Sequence, residues 1–104
     1  MNVALTFSTS EESTDLVLTM AGQLDALSAP DILTTIDGLI EKKHMMIVVD
    51  MADVDLIDSS GVAVLVALYK RSRSIGGKMK VRGAKDQPLA IFKLMNMKKV
   101  FQIA

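Results

Sequence analysis

Hydrophobic and polar positions alternate, run together and recur in turn along this chain, and each pattern predicts an element. Val3, Leu5 and Phe7 alternate with small or polar residues, the period of a half-exposed strand, and Ser8 to Thr14 reads as a polar turn. Leu16 to Met20 predicts a second strand, closed by Gly22, and the short connection makes the pair an antiparallel hairpin. Ser28-Ala29-Pro30-Asp31 opens a helix: serine caps, proline suits the first turn, and Asp31 completes a capping pattern. Ile32, Ile36, Leu39 and Ile40 then recur at helical spacing up to Lys42 and Lys43, which complement the dipole.

Met45 to Val49 is a continuous apolar run, as a strand covered on both faces requires, and MADVDLID reads as the loop after it. Ser59-Ser60-Gly61 starts a second helix that runs to the Gly76-Gly77 break. Its core stripe is Val62, Leu65, Val66 and Tyr69; Val64 and Leu68 are apolar in excess of one stripe. Met79 and Val81 alternate with Lys78, Lys80 and Arg82 in a fourth strand. Gln87-Pro88 starts a third helix with Leu89, Phe92 and Met95 at every third position, and Val100, Phe101 and Ile103 form a short last strand.

The predicted order is ββαβαβαβ, with helices near 28–43, 59–75 and 88–96. Strands separated by helices pair in parallel through right-handed crossovers, so the fold class is α/β: a mixed central sheet with an N-terminal hairpin at one side. The expected core includes Leu18, Ile36, Ile47, Val49, Leu65, Val81 and Phe92. The surplus apolar surface of the second helix predicts that Val62, Val64 or Leu68, with Val62 first, is exposed and docks a partner.

Composition narrows the function. The 104 residues are 50% hydrophobic and 23% charged, which suits one globular domain spanning 1–104. With no cysteine, disulfides, thiolate catalysis and cysteine-held metals are excluded, and one histidine excludes a multi-histidine metal site. No apolar run approaches the roughly 20 residues of a membrane span, and MNVALTFSTSEE lacks the basic and apolar regions of a signal peptide, so a cytoplasmic location is expected. The net charge of zero hides an asymmetry: residues 1–58 hold 11 acids and 2 bases, residues 59–104 hold 1 acid and 10 bases, giving −9 and +9. The bases are not interleaved with aromatics, so nucleic-acid binding is not expected.

The chemistry concentrates in DMADVDLIDSSG, residues 50–61, where Asp50, Asp53, Asp55 and Asp58 precede two serines at a strand-to-helix turn. Such turns lie at the C-terminal edge of a parallel sheet, where sites gather. Carboxylate catalysis needs a pocket and shifted pKa values, and a Mg²⁺ site lacks any phosphate-binding glycine motif, so the acids read as a solvated rim and no cofactor is expected. Ser59 lacks the GxSxG elbow, and His44 falls at the far end of the preceding strand, so a Ser-His hydrolase is not expected. Of the methionines, Met20, Met45, Met46, Met79 and Met95 read as core filler. Ser59 itself reads either as an ordinary N-cap or as a phosphate acceptor, and local physics leaves both open.

Three segments carry a resemblance. Gly22-Gln23-Leu24-Asp25 is similar to the G-E-L-D turn, and Asp58-Ser59-Ser60-Gly61 to the D-S-S-G turn, of the bacterial anti-sigma factor antagonists, which are stand-alone STAS domains. LAIFKLMNMKKVFQI is a weaker match to that family's last helix and closing strand. Gln23 departs from the family's glutamate, and the family's frequent fourth helix is not expected before Ala104. The resemblance implies a non-enzymatic partner-switching protein, monomeric when free. Unphosphorylated, it binds a serine-kinase-type anti-sigma factor. ATP-dependent phosphorylation of Ser59 releases that partner, and a phosphoserine phosphatase restores binding. Asp25, Asp58, Ser60, Gly61 and Val62 belong to the switch surface on this reading. The alternative is a STAS scaffold or adaptor subunit, in a stress complex or beside a transporter, without sigma-factor control.

Overall fold

Strands rich in β-branched residues and helices with separated apolar stripes assemble here into one sheet with helices packed on it. The computed structural model describes the backbone of residues 6–12, 15–40 and 46–103 and the side chains of 15–35 and 46–103. The elements are β1 (Thr6–Glu12), β2 (Asp15–Leu24), α1 (Ala29–Ile40), β3 (Met46–Ile57), α2 (Ser59–Ser74), β4 (Lys78–Arg82) and α3 (Asp86–Leu94). The sheet order is β1-β2-β3-β4: β1 runs antiparallel to β2, and β2, β3 and β4 are parallel. The mixed sheet with its lateral hairpin is the one the sequence predicts.

Three elements differ from expectation. The stretch Ser8–Glu12 is strand rather than turn, because every residue of β1 finds a partner on β2, from Thr6↔Ala21 to Glu12↔Asp15. The stretch read as a loop, MADVDLID, continues β3 as far as Ile57. Its ladder to β2 extends to Leu24↔Ile57 through two register shifts that bracket Ala21 and Gly22, so the segment's acids were compatible with a strand whose partner bends to follow it. The last predicted strand is instead a series of turns: Phe101 N–H donates to Met97 O (3.0 Å) and Ile103 N–H to Lys98 O (2.7 Å). Among the described residues one ladder-like bond remains, Val81 N–H to Phe101 O at 2.9 Å. The alternation of Val100, Phe101 and Ile103 comes from Phe101 plugging the core against Phe92, with ring centroids 5.4 Å apart and edge to face.

Along the central strands Ile47, Val48 and Val49 are all buried, as a strand covered on both faces demands. Leu18, Ile47, Val49, Leu65, Val81 and Phe92 are buried as expected, while Ile36, Met45 and His44 lie outside the described side chains. Met20, Met51 and Met79 are core, but Met95, expected there, is half exposed past the end of α3.

The expectation that Val62, Val64 or Leu68 is exposed is wrong. All three are buried, at 3%, 1% and 0% exposure, and Val62 offers no docking surface. Helix α2 packs against α1, β3 and β4 together, so it needs a stripe wider than one neighbour requires. That stripe passes through Gly61, Val64, Leu65, Leu68 and Ser72, displaced from the predicted one, and Val66 and Tyr69 are only half-buried. Ser72 is the one anomaly in it: its fully buried hydroxyl has no hydrogen-bond partner among the described residues. Ser72→Ala removes an unsatisfied group and raises helix propensity, and is expected to stabilise the protein by about 1–2 kcal/mol in urea denaturation.

Candidate functional site

The two turns singled out by the sequence meet at the C-terminal edge of the sheet because the β2–β3 ladder ends by pairing Leu24 with Ile57. One residue further on, Asp58 N–H donates to Leu24 O at 3.3 Å. The chain then turns into α2, and the cap is Asp58, not Ser59: Asp58 Oδ1 accepts from Gly61 N–H at 2.9 Å. Ser59 becomes the first helical residue, with its side chain exposed, while Ser60 is half-buried. The capping reading of Ser59 is thereby overturned, since Asp58 takes that duty.

Gly61 is present for space. A Cβ there would strike Leu24 O and lie 2.7 Å from Ile57 Cγ1 and 2.9 Å from Leu24 Cγ. In an exposed helix a Gly→Ala change gains up to about 1 kcal/mol. Here the obstacle includes backbone, and overpacking of this kind costs about 1–3 kcal/mol. Gly61→Ala is therefore expected to lower stability, and a gain in a thermal melt contradicts the close packing.

The other turn closes on itself. Asp25 Oδ1 accepts from Leu27 N–H (3.0 Å) and Ser28 N–H (3.1 Å). Ser28 Oγ accepts from Asp25 N–H (3.0 Å) and donates to Gln23 O (3.1 Å). Ser28 thus points back into the turn instead of forming the expected cap with Asp31. A carboxylate at Asp25 that holds two backbone donors is a rigid fixture beside the site. Leu27 rides on this turn with its side chain 76% exposed.

Gln87, which the sequence marks only as a helix start, joins the two turns. Strand β4 pairs with β3 only as far as Asp50↔Arg82, so the end of β3 needs another partner on that side. Gln87 supplies it: Ile57 N–H donates to Gln87 Oε1 and Gln87 Nε2 donates to Ile57 O, both at 2.9 Å. No periodicity marks such a residue; the only signal is an amide placed just before the buried Pro88. Gln23, Asp25, Leu56, Ile57, Asp58 and Gln87 together line a depression of about 260 Å³ beside Ser59. Leu56 is 47% exposed in it.

The four acids do not converge. Asp50 accepts from Arg82 Nε at 3.1 Å, Asp53 and Asp55 are exposed along β3, and Asp58 caps α2. A strand rises about 3.3 Å per residue, which spreads Asp50 and Asp58 over roughly 25 Å. No helix among the described residues is long and apolar enough to cross a membrane.

A four-stranded mixed sheet, with an exposed serine at its C-terminal edge where a carboxylate caps the following helix, places the chain among small α/β domains. The STAS domain family model matches residues 6–104, and the chain belongs to that family. An anti-sigma-B factor antagonist of Listeria monocytogenes is 24% identical over 104 residues, covering 99% of this chain and 90% of that protein. The fold matches an anti-sigma factor antagonist from Mycobacterium paratuberculosis with a TM-score of 0.85 at 19% identity, over 97% of this chain and 87% of the other. It also matches the Bacillus cell fate determinant SpoIIAA, solved in its phosphorylated form, with a TM-score of 0.74 at 16% identity, over 91% and 87% of the two chains.

Proposed function

We propose that this protein is an anti-sigma factor antagonist that works by phosphorylation-controlled partner switching. The unphosphorylated chain binds an anti-sigma factor of the serine-kinase type. That partner transfers the γ-phosphoryl group of ATP to Ser59 and dissociates, and a phosphoserine phosphatase resets the protein. The chain is substrate and ligand in this cycle, not catalyst. The observation that carries the reading is the exposure of Ser59 at the head of α2, with the cap supplied by Asp58. A phosphate at that position gains from the helix dipole and leaves the fold standing. It also adds about −1.5 to −2 charges next to Asp58 and close to Asp25.

The binding surface is the rim of the depression. Asp25 and Asp58 supply charge, and Leu27 and Leu56 supply the exposed apolar contacts that Val62 does not. Family likeness supports the reading, since relatives named anti-sigma-B factor antagonist align along nearly the whole chain. The deciding experiment is a pull-down from cells of the source organism with the unmodified protein and with Ser59→Asp, followed by phosphopeptide mapping after incubation with the captured kinase and ATP. Capture of a kinase-domain protein by the unmodified chain alone, with phosphate on Ser59, supports the cycle. Phosphate on Ser60, or equal capture by both forms, refutes it.

A further inference from the structure

A cavity of about 670 Å³ lies away from the switch, at the other end of α2, where the helix breaks into β4 and the C-terminal turns close over the sheet. Arg73 lies fourteen positions beyond Ser59 on α2, about 20 Å along the axis. Cavities of this size are typical of small-molecule sites.

Its lining carries three cations, Arg73, Lys78 and Lys99, and no carboxylate. The cations come from three different segments: the last turn of α2, the first residue of β4 and the C-terminal turns. Arg73 is held in place, with Nη1 donating to Tyr69 Oη at 3.0 Å and its guanidinium 5.7 Å from the centre of the Tyr69 ring. That bond uses one of its five donors. Among the described residues neither Lys78 nor Lys99 has an ion-pair partner, although the chain as a whole carries as many acids as bases. The lining also includes the side-chain amides of Asn96 and Gln102. Each is the left-handed residue of a helical ending, φ 56° and 51°, closed by paired backbone bonds: Asn96 N–H to Lys93 O with Met97 N–H to Phe92 O, and Gln102 N–H to Lys99 O with Ile103 N–H to Lys98 O.

We propose that this cavity binds a compact polyanion bearing two or more phosphate groups. Three cations set on separate segments call for a ligand with several charges and acceptors: a carboxylate carries one charge and two oxygens, whereas each phosphate carries about −1.5 to −2 charges at neutral pH and three acceptor oxygens. Arg73 takes phosphate oxygens with its planar fork, Lys78 and Lys99 act as point charges, and the Asn96 and Gln102 amides donate at the rim. The site stands apart from Ser59, so its occupancy does not depend on the partner-switching reading.

The test is a titration of the isotopically labelled full chain with sodium pyrophosphate at low ionic strength, followed by amide resonances. Saturable shifts are expected at Gly76, Gly77, Lys78 and Gln102. The dissociation constant is expected to rise about tenfold or more in the Lys78→Ala/Lys99→Ala double variant and to stay unchanged in Ser59→Asp. Retained spectral dispersion in each variant controls for folding. Inorganic phosphate is expected to bind more weakly than pyrophosphate. A parallel titration with ADP distinguishes sources: tighter binding than pyrophosphate assigns the phosphates to an organic carrier, and equal or weaker binding assigns them to a free inorganic anion. The proposal is overturned by the absence of saturable shifts at millimolar pyrophosphate, by shifts centred on Asp25 to Gly61, by an unchanged constant in the double variant, or by an acidic peptide binding where pyrophosphate does not.

Discussion

Ser59→Asp is expected to lose most of its affinity for the proposed kinase-type partner while melting within a few degrees of the unmodified protein, and Ser59→Ala is expected to bind that partner constitutively. The asymmetry follows from where the residue sits. Ser59 is exposed and makes no capping bond, so neither substitution removes a native interaction or opens a cavity. Surface changes of that kind stay within about 0.5 kcal/mol of stability. Binding is different, because Asp25 and Asp58 already place two carboxylates on the rim. A complete reversal of occupancy, from 99:1 to 1:99, requires about 5.5 kcal/mol of differential affinity. Like charges brought together in an interface cost several kcal/mol, which is the required order. Aspartate adds one negative charge where phosphate adds about −1.5 to −2, so stoichiometrically phosphorylated protein is expected to bind more weakly than Ser59→Asp. Calorimetric titration of the three forms against the kinase measures both effects. Undiminished binding by the phosphorylated form, or a large fall in melting temperature for Ser59→Asp, is incompatible with this account.

Leu65→Ala is expected to cost about 2–5 kcal/mol of stability. Leu65 is fully buried in the cluster that joins α2 to β3 and β4, and truncation there loses transfer free energy and leaves a void that three packed elements cannot easily close. The exposed Lys70 on the same helix is the control, with a change below about 0.5 kcal/mol expected for Lys70→Ala. Chemical denaturation gives both values. A loss at Leu65 no larger than the control places that side chain at the surface and overturns the packing described for α2.

Sequence alone determined the order of the elements up to α3, the parallel pairing of β2, β3 and β4, most of the core, and the acidic turn at residues 50–61, while the turn of the candidate site at residues 22–25 is marked only by family resemblance. The former are properties of local period and local composition: a run such as Ile47-Val48-Val49 states its own burial, and Gly76 after an amphipathic stretch states its own helix end. The tertiary structure decided what depends on neighbours distant in the chain. Whether MADVDLID is loop or strand rests on β2 continuing beside it as far as Leu24. Whether Val62, Val64 and Leu68 are surface or core rests on α1, β3 and β4 closing on α2 from several sides, which one helix's periodicity cannot reveal. The identity of the cap is similar, because Asp58 and Ser59 are equally able to cap. The tie from Asp58 N–H to Leu24 O holds Asp58 at the strand end, where its side chain caps the helix, and leaves Ser59 as the first helical residue. Gln87 shows the same rule at longer range: the unpaired end of β3 exists because β4 stops at Arg82, and its partner comes from 30 residues further along the chain. Hydrogen-bond satisfaction is a condition on the whole fold, so the residues that meet it bear no mark in their own neighbourhood.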